Sequence, residues 1–234
     1  MNPVRTVSAT KAAFFGAYAR PINSVYRRVI EELLVELHLV TVNAQFVYDP
    51  FFALGLVTVY DALMEGYQPS DQRDPIYQAL CKSLQLKPEV LRQDAQTLLD
   101  LLRSADPQQR LSLLTLRNDA MDVGGIRSIL ERMRSGSYAY SRILGIGLFT
   151  CYDLLQQALN RESESRLEPF VTEMAIPLGF SGERVKRDLE LYRNSLERMK
   201  QARAVVEEMV KAARRQQERR QTVLAQPEGG KAQA

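Results

Sequence analysis

Residues 49–64, DPFFALGLVTVYDALM, decide the fold class of this chain. Asp49 and Pro50 form a helix start, because an aspartate side chain accepts hydrogen bonds from the free N–H groups of a first turn and proline fits that turn. The ten residues after them carry no charge, and the first acidic side chain is Asp61. A helix that is apolar on every side is stable only inside a core. The stretch therefore predicts a central buried helix that ends near Gly66.

A long amphipathic helix precedes this stretch. Its apolar residues recur every three or four positions, which places them on one side of a helix. They are Ile22, Val25, Val29, Leu33, Leu37 and Val40. Pro21 suits the first turn of this helix, which we expect to end near Asn43.

Further helix signals fill the region that follows. Three X-Pro dipeptides predict helix starts, at Asp74-Pro75, Lys87-Pro88 and Asp106-Pro107. After the break at Gly124-Gly125 we expect a helix over 126–134, one that begins at Ser137 or Tyr138, and one over 164–178. Alternating β-branched runs, which are typical of strands, are nearly absent. The sequence predicts an all-α, multi-helix globular bundle with a long C-terminal coiled-coil-like helix.

The last quarter of the chain differs from the rest. Ser181 can cap a helix in which apolar residues alternate in steps of four and three, a heptad pattern. This seam, together with the arginines beside it, is the predicted partner-binding site. It comprises Val185, Leu189, Tyr192, Leu196, Met199, Arg203, Val206, Val210, Arg214 and Arg215. We expect a helical body over 1–180, a basic amphipathic helix over 181–222 and a disordered tail over 223–234.

Basic charge is concentrated in this predicted helix. Residues 181–222 contain twelve Lys and Arg residues against seven Asp and Glu residues, whereas the remainder of the chain carries a net charge near −2. Three interpretations stay open: a solvated helical face, a helix that docks on a partner, or attraction to anionic lipid headgroups. Nucleic acid ranks last, because no aromatic interleaving accompanies the charge.

Groups that could perform chemistry are few and scattered. His38 is the single histidine, and neither Cys81 nor Cys151 is near it in sequence. Since zinc needs several nitrogen or sulfur ligands, we expect a structural or surface role for His38. The two cysteines are expected to be buried small hydrophobes, although sequence leaves a disulfide open. We predict no enzyme, no cofactor and no metal.

Two short patterns resemble parts of binding or catalytic sites. Gly145-Ile146-Gly147 lacks the third glycine and the preceding strand of a phosphate-binding loop, so small residues that allow close helix packing are the favoured interpretation. Asp119 and Asp122 could supply acid–base chemistry, but two carboxylates in a loop also serve simply to solvate it.

The chain has no run of eighteen apolar residues of the kind that crosses a membrane. Its N-terminus also lacks the hydrophobic core of a signal peptide. We therefore expect the protein to remain on the side of the membrane where it is made.

Long ordered strings, most of them in the first third, carry a family resemblance: Thr6-Val7-Ser8, Arg20 to Arg28, Glu31 to Leu39, Tyr48-Asp49-Pro50, Ala53-Leu54-Gly55, Thr58 to Asp61, Met64 to Tyr67 and Gly179-Phe180-Ser181. These strings resemble the Thylakoid Formation family, whose members are also called photosystem II biogenesis proteins. The resemblance extends over nearly the whole chain and is closest between Thr6 and Tyr67.

The resemblance implies an all-helical protein without enzymatic activity or cofactor. It implies a role in thylakoid biogenesis and in photosystem II assembly and repair, through binding and stabilising FtsH-type membrane proteases. Because the chain lacks a transit peptide, the resemblance is to the cyanobacterial form, which works at the cytoplasmic face of the thylakoid as a peripheral protein. The alternative is a carrier of a pigment or small molecule, or an enzyme, with a cavity between residues 50–63 and 143–159. The oligomeric state stays open.

Overall fold

The computed structural model describes residues 5–104, 106–117, 121–160 and 166–224. In these ranges all regular structure is helical and no strand occurs, so the all-α prediction is confirmed. The α-helices are α1 Val7–Ala17, α2 Ser24–Thr41, α3 Pro50–Leu63, α4 Arg73–Ser83, α5 Pro88–Arg103, α6 Pro107–Leu114, α7 Ile126–Arg134, α8 Arg142–Ala158, α9 Leu167–Phe170 and α10 Gly182–Leu224. A 3₁₀ turn, Ser70–Gln72, precedes α4, and a π-helical turn, Val171–Ala175, continues α9.

Helices α3 and α8 form the centre of the core and meet at two glycines. A Cβ atom at Gly55 would lie 1.9 Å from the Ile143 carbonyl oxygen, and one at Gly147 would lie 1.9 Å from the Phe51 carbonyl oxygen. The two backbones are therefore in direct contact at this crossing. This confirms the prediction that Gly147 permits close helix packing, and it leaves no room for a ligand between α3 and α8 at that point.

Side-chain caps explain where several helices begin. Asp49 Oδ1 accepts hydrogen bonds from the N–H groups of Phe51 and Phe52, at 2.8 and 3.0 Å. Asp106 Oδ2 accepts from the Gln109 N–H at 3.0 Å. The predicted starts of α3 and α6 are thus confirmed, because these aspartates satisfy N–H groups that have no partner inside their helices.

Three predicted starts are wrong by a few residues. Pro21 precedes α2 and lies outside it, because Asn23 caps the helix by accepting from the Val25 N–H. Helix α4 begins at Arg73, directly after the 3₁₀ turn, so Asp74 falls inside its first turn. Helix α8 begins four or five residues later than predicted, at Arg142, since Ser141 Oγ accepts from the Leu144 N–H.

Helix α1 was not predicted. Thr6 caps it by accepting from the Ala9 N–H at 3.1 Å. Phe14 and Thr10 are its fully buried residues, while the remainder of the helix is half-buried or exposed. Its alanine-rich sequence has no repeating apolar stripe, which is the signal that identifies an amphipathic helix.

The chain divides into two compact units, Met1–Asn194 and Ser195–Ala234. The first unit contains α1 to α9 and the first thirteen residues of α10. Ser181 Oγ accepts from the Arg184 N–H at 3.4 Å and so caps α10 as expected. The predicted disordered tail, 223–234, lies outside the described residues from 225 onward.

Candidate docking surfaces

The start of α10 is part of the core of the first unit. Val185 is 1% exposed and Leu189 is 6% exposed, so both predicted partner-binding residues are covered by this chain itself. Lys186 Nζ lies 2.6 Å from Glu168 Oε2, and the Arg184 guanidinium stacks over the Tyr140 ring at 4.9 Å. A partner could reach Val185 and Leu189 only by opening this packing.

The other predicted partner-binding residues differ widely in exposure. Tyr192, Leu196 and Arg203 are half-buried, and Met199 is buried. Val206 and Arg215 are exposed. Val210 and Arg214 belong to α10, but their side chains lie outside the described residues. The exposed part of the predicted site is thus confined to the second unit.

Two exposed apolar residues escaped the sequence reasoning. Val205 is 54% exposed and Met209 is 66% exposed, and the two lie one turn apart on α10. The heptad seam runs along one side of the helix, from Met199 to Val206, and these residues belong to a neighbouring side. The spacing of four between them was the signal that could have identified them.

A groove of about 960 Å³ runs along the outer side of α2. Its apolar lining includes Val35, Phe46 and Leu39, the last of which is 60% exposed. Nine charged side chains surround these apolar residues. They are Lys11, Arg27, Arg28, Glu31, Glu32, Glu36, Arg142, Arg184 and Asp188.

One ion pair in this groove joins distant parts of the first unit. Glu36 on α2 accepts two hydrogen bonds from Arg142 at the start of α8, and the bond from Arg142 Nε is 2.9 Å long. The hydrogen bond that Arg142 donates to Glu36, together with the negative charge of Glu36, raises the pKa of Arg142 despite the opposing effect of burial. Two parallel charge-assisted hydrogen bonds fix the relative orientation of the two side chains. The pair therefore holds α2 against α8.

The Glu36→Gln substitution should lower the free energy of unfolding by about 1–2 kcal/mol, because a charged, partly buried hydrogen bond is lost. Urea denaturation followed by circular dichroism measures the change. Glu32→Gln is the matched control on the same helix: its partner Arg28 is 83% exposed, and such pairs contribute well below about 1 kcal/mol. Equal effects of the two substitutions would contradict a special role for Glu36.

His38 has the structural role expected of a lone histidine. It is buried, and its Nδ1 lies 2.9 Å from Thr10 Oγ1, which ties α1 to α2. Burial and the nearby Arg5 guanidinium lower the pKa of His38, so the ring is neutral near pH 7. Arg5 itself donates to the Ser83 carbonyl oxygen at 2.9 Å.

Other groups considered from the sequence are also accounted for by local structure. Cys81 and Cys151 are free, buried thiols, and burial raises the pKa of Cys81 to about 12. Asp122 Oδ1 accepts a hydrogen bond from the Arg127 N–H at 2.9 Å, whereas Asp119 lies outside the described residues. Within the described ranges, no group of three or more His, Cys, Asp or Glu side chains is placed to hold a metal ion.

The helices of the described residues differ from membrane-spanning segments in length or composition. None of them combines the necessary length with sufficient apolar character.

Known proteins resemble this chain over almost its whole length. The family model described as Thylakoid formation protein matches residues 6–221. A Protein Thf1 from Synechococcus sp. (strain JA-2-3B'a(2-13)) is 66% identical, with coverage of 97% of this chain and 95% of the relative. A Protein Thf1 from Acaryochloris marina (strain MBIC 11017) is 39% identical, with coverage of 98% and 91%.

A solved structure of Psb29 has the same helical fold. It superposes with a TM-score of 0.74 and 39% sequence identity, and the match covers 91% of this chain and 98% of the Psb29 chain. The family expected from the strings between Thr6 and Tyr67 is confirmed by these matches. The chain belongs to the thylakoid formation protein family.

Proposed function

We propose that this protein is a non-enzymatic accessory factor in thylakoid membrane biogenesis and in photosystem II assembly and repair. It binds and stabilises an FtsH-type membrane protease complex as a peripheral protein at the cytoplasmic face of the thylakoid membrane. The observation that carries this proposal is the family match over residues 6–221, together with relatives of nearly equal length that bear the name Protein Thf1. We expect neither a cofactor nor a nucleic-acid partner.

The docking surface we propose is the exposed part of the predicted seam in the second unit. Val206 is exposed there and Arg203, three residues before it, is half-buried. Arg215 is exposed too, but it points about 180° away from Val206 around the helix and lies outside this surface. Val185 and Leu189 are excluded from the docking surface because the first unit already covers them. A mixed apolar and basic helix side suits a partner with an apolar groove and an acidic rim.

The alternative of a pigment or small-molecule carrier has weaker support. A ligand pocket is usually enclosed and mostly apolar, with few polar groups. The α2 groove is instead lined by nine charged side chains, and Glu36 and Arg142 are bonded to each other there. The expected location, between α3 and α8, is occupied by backbone contact at Gly55 and Gly147.

Affinity capture from detergent-solubilised photosynthetic membranes tests the proposal. The baits are the tagged full chain, the full chain with Arg203→Glu and Val206→Asp, and a chain that ends at Asn194. The bait that ends at Asn194 retains Val185 and Leu189, which are part of the core of the first unit. We expect the full chain to recover FtsH-type subunits and both altered baits to recover about tenfold less, since a few central residues dominate most interfaces.

The matched control is Val90→Asp, a substitution at an exposed apolar position on α5. Its recovery of protease subunits should equal that of the full chain. If the bait that ends at Asn194 recovered as much protease as the full chain, the docking surface would belong to the first unit. If no bait recovered protease, the proposed partner would be rejected.

A further inference from the structure

We propose that a second side of α10 binds the surface of a bilayer that contains anionic lipid. This side, here called the distal face, consists of Ala202, Val205, Met209 and Ala212. Their spacing of three, four and three aligns them along one side of a helix. Val205 and Met209 are two of the most exposed large apolar residues among the described side chains, and Ala212 is exposed as well.

The distal face is centred on a different side of α10 from the docking surface proposed above, and Val206, three residues before Met209, lies at the border between the two. Each residue advances by about 100° around an α-helix. Val206 therefore points about 100° away from Val205, and Arg203 points about 160° away from it. One helix can thus present one side to a protein partner and another to lipid.

Charge favours an anionic lipid surface as the occupant. Residues 195–224 contain eight Lys and Arg residues against four Glu residues, whereas residues 1–194 carry a net charge of −1. Arg198 is exposed, and it forms no ion pair with another residue that the structure describes. Cations beside an apolar helix side are attracted to anionic headgroups, while the apolar side chains enter the boundary of the acyl region.

The position of Arg198 favours lipid over a second copy of the chain. It lies four residues before Ala202 and seven before Val205, and so it falls in line with the distal face. In a coiled coil of two copies this arginine would occupy the apolar seam, where an unpaired charge is costly. At a bilayer its aliphatic stem can lie along the apolar layer while the guanidinium reaches the headgroups.

Vesicle flotation with the purified full chain tests the inference. The probes are vesicles of phosphatidylglycerol mixed with phosphatidylcholine, and vesicles of phosphatidylcholine alone. We expect binding to the anionic vesicles only, weakened by added salt. Val205→Ser with Met209→Ser should lower the affinity at least tenfold, and Arg198→Gln should lower it by about fivefold.

Matched controls are placed at exposed positions of the first unit. Val90→Ser removes an exposed apolar side chain from α5, and Arg28→Gln removes an exposed cation from α2. Both controls should bind anionic vesicles as the unaltered chain does. Circular dichroism of every variant verifies that its helical content is unchanged.

Two results would overturn the inference. One is a lack of binding to anionic vesicles, or binding that the distal-face variants leave intact. The other is a dimer, detected by analytical ultracentrifugation, that Val205→Ser with Met209→Ser converts into a monomer while no vesicle binding occurs. This result would assign the distal face to a second copy of the chain. The inference rests on the membrane location proposed above, but protease capture in detergent involves no bilayer, so the two proposals can fail independently.

Discussion

The Gly147→Ala substitution is expected to lower the free energy of unfolding by more than about 3 kcal/mol. The added methyl group would lie 1.9 Å from the Phe51 carbonyl oxygen, and a backbone atom cannot move aside as a side chain can. The helices α3 and α8 would have to separate, and the loss of packing would extend along both. Gly55→Ala should have a similar effect, because its methyl group would meet the Ile143 carbonyl oxygen.

Gly16→Ala is the matched control for these substitutions. Gly16 is an exposed residue of α1, and nothing lies within 4 Å of a Cβ atom placed there. Alanine should therefore stabilise the protein by about 0.5–1 kcal/mol, as expected for glycine in a helix. Urea denaturation midpoints measure the stability of all three variants. Limited proteolysis of the soluble fraction detects any variant that is already unfolded without urea. A midpoint of Gly147→Ala equal to that of the unaltered chain would contradict the backbone contact.

Asp49 should make the stability of this protein fall as the pH rises from about 4 to about 6. Burial raises the pKa of Asp49 to about 6, against the lowering effect of the hydrogen bonds from the Phe52 and Phe51 N–H groups. Between the unfolded-state pKa of 3.8 and the folded-state pKa of about 6, the folded chain holds a proton that the unfolded chain has lost. The stabilising contribution of the protonated carboxyl group is therefore fully present below pH 3.8 and is lost as the pH rises through about 6. At about 1.4 kcal/mol per pKa unit, the ionised carboxylate costs about 3 kcal/mol at neutral pH.

Two substitutions separate the ionisation of Asp49 from its capping role. Asp49→Asn keeps an oxygen that can accept from the Phe51 and Phe52 N–H groups, whereas Asp49→Ala removes it. We expect both variants to lose the pH dependence between about 4 and 6 relative to the unaltered chain. They should differ from each other by about 0.5–2 kcal/mol at every pH, the contribution of a helix cap. Urea denaturation across this pH range measures both quantities. Parallel pH profiles for the unaltered chain and Asp49→Asn would show that Asp49 does not titrate as described.

Helix starts could be predicted wherever the signal lies within one turn. Asp49-Pro50 and Asp106-Pro107 placed α3 and α6 correctly, because the capping oxygen and the N–H groups it bonds are at most three residues apart. The same reasoning misplaced α2 at Pro21, because a proline fits both a first turn and the segment before it. Asn23 was the better signal, since its side chain caps the helix directly.

The candidate docking surfaces could be predicted only in part. The heptad pattern identified a side of α10 that is apolar, but periodicity does not indicate which turns of a helix another part of the chain covers. Val185 and Leu189 are buried in the first unit, whereas Val206 is exposed in the second. The groove along α2 could not be predicted either, because Glu36 and Arg142 are separated by 106 residues.

The sequence by itself determined the all-α class, the buried helix at residues 50–63, the caps of several helices and membership of the family. These properties depend on side-chain chemistry within a few residues, or on long ordered strings that few other proteins share. The tertiary structure alone decided that Gly55 meets Gly147, that Glu36 binds Arg142 and that α10 buries Val185 and Leu189 but exposes Val206. Such contacts join residues that are far apart in the chain, and they follow from how whole helices pack and not from the preference of any one turn.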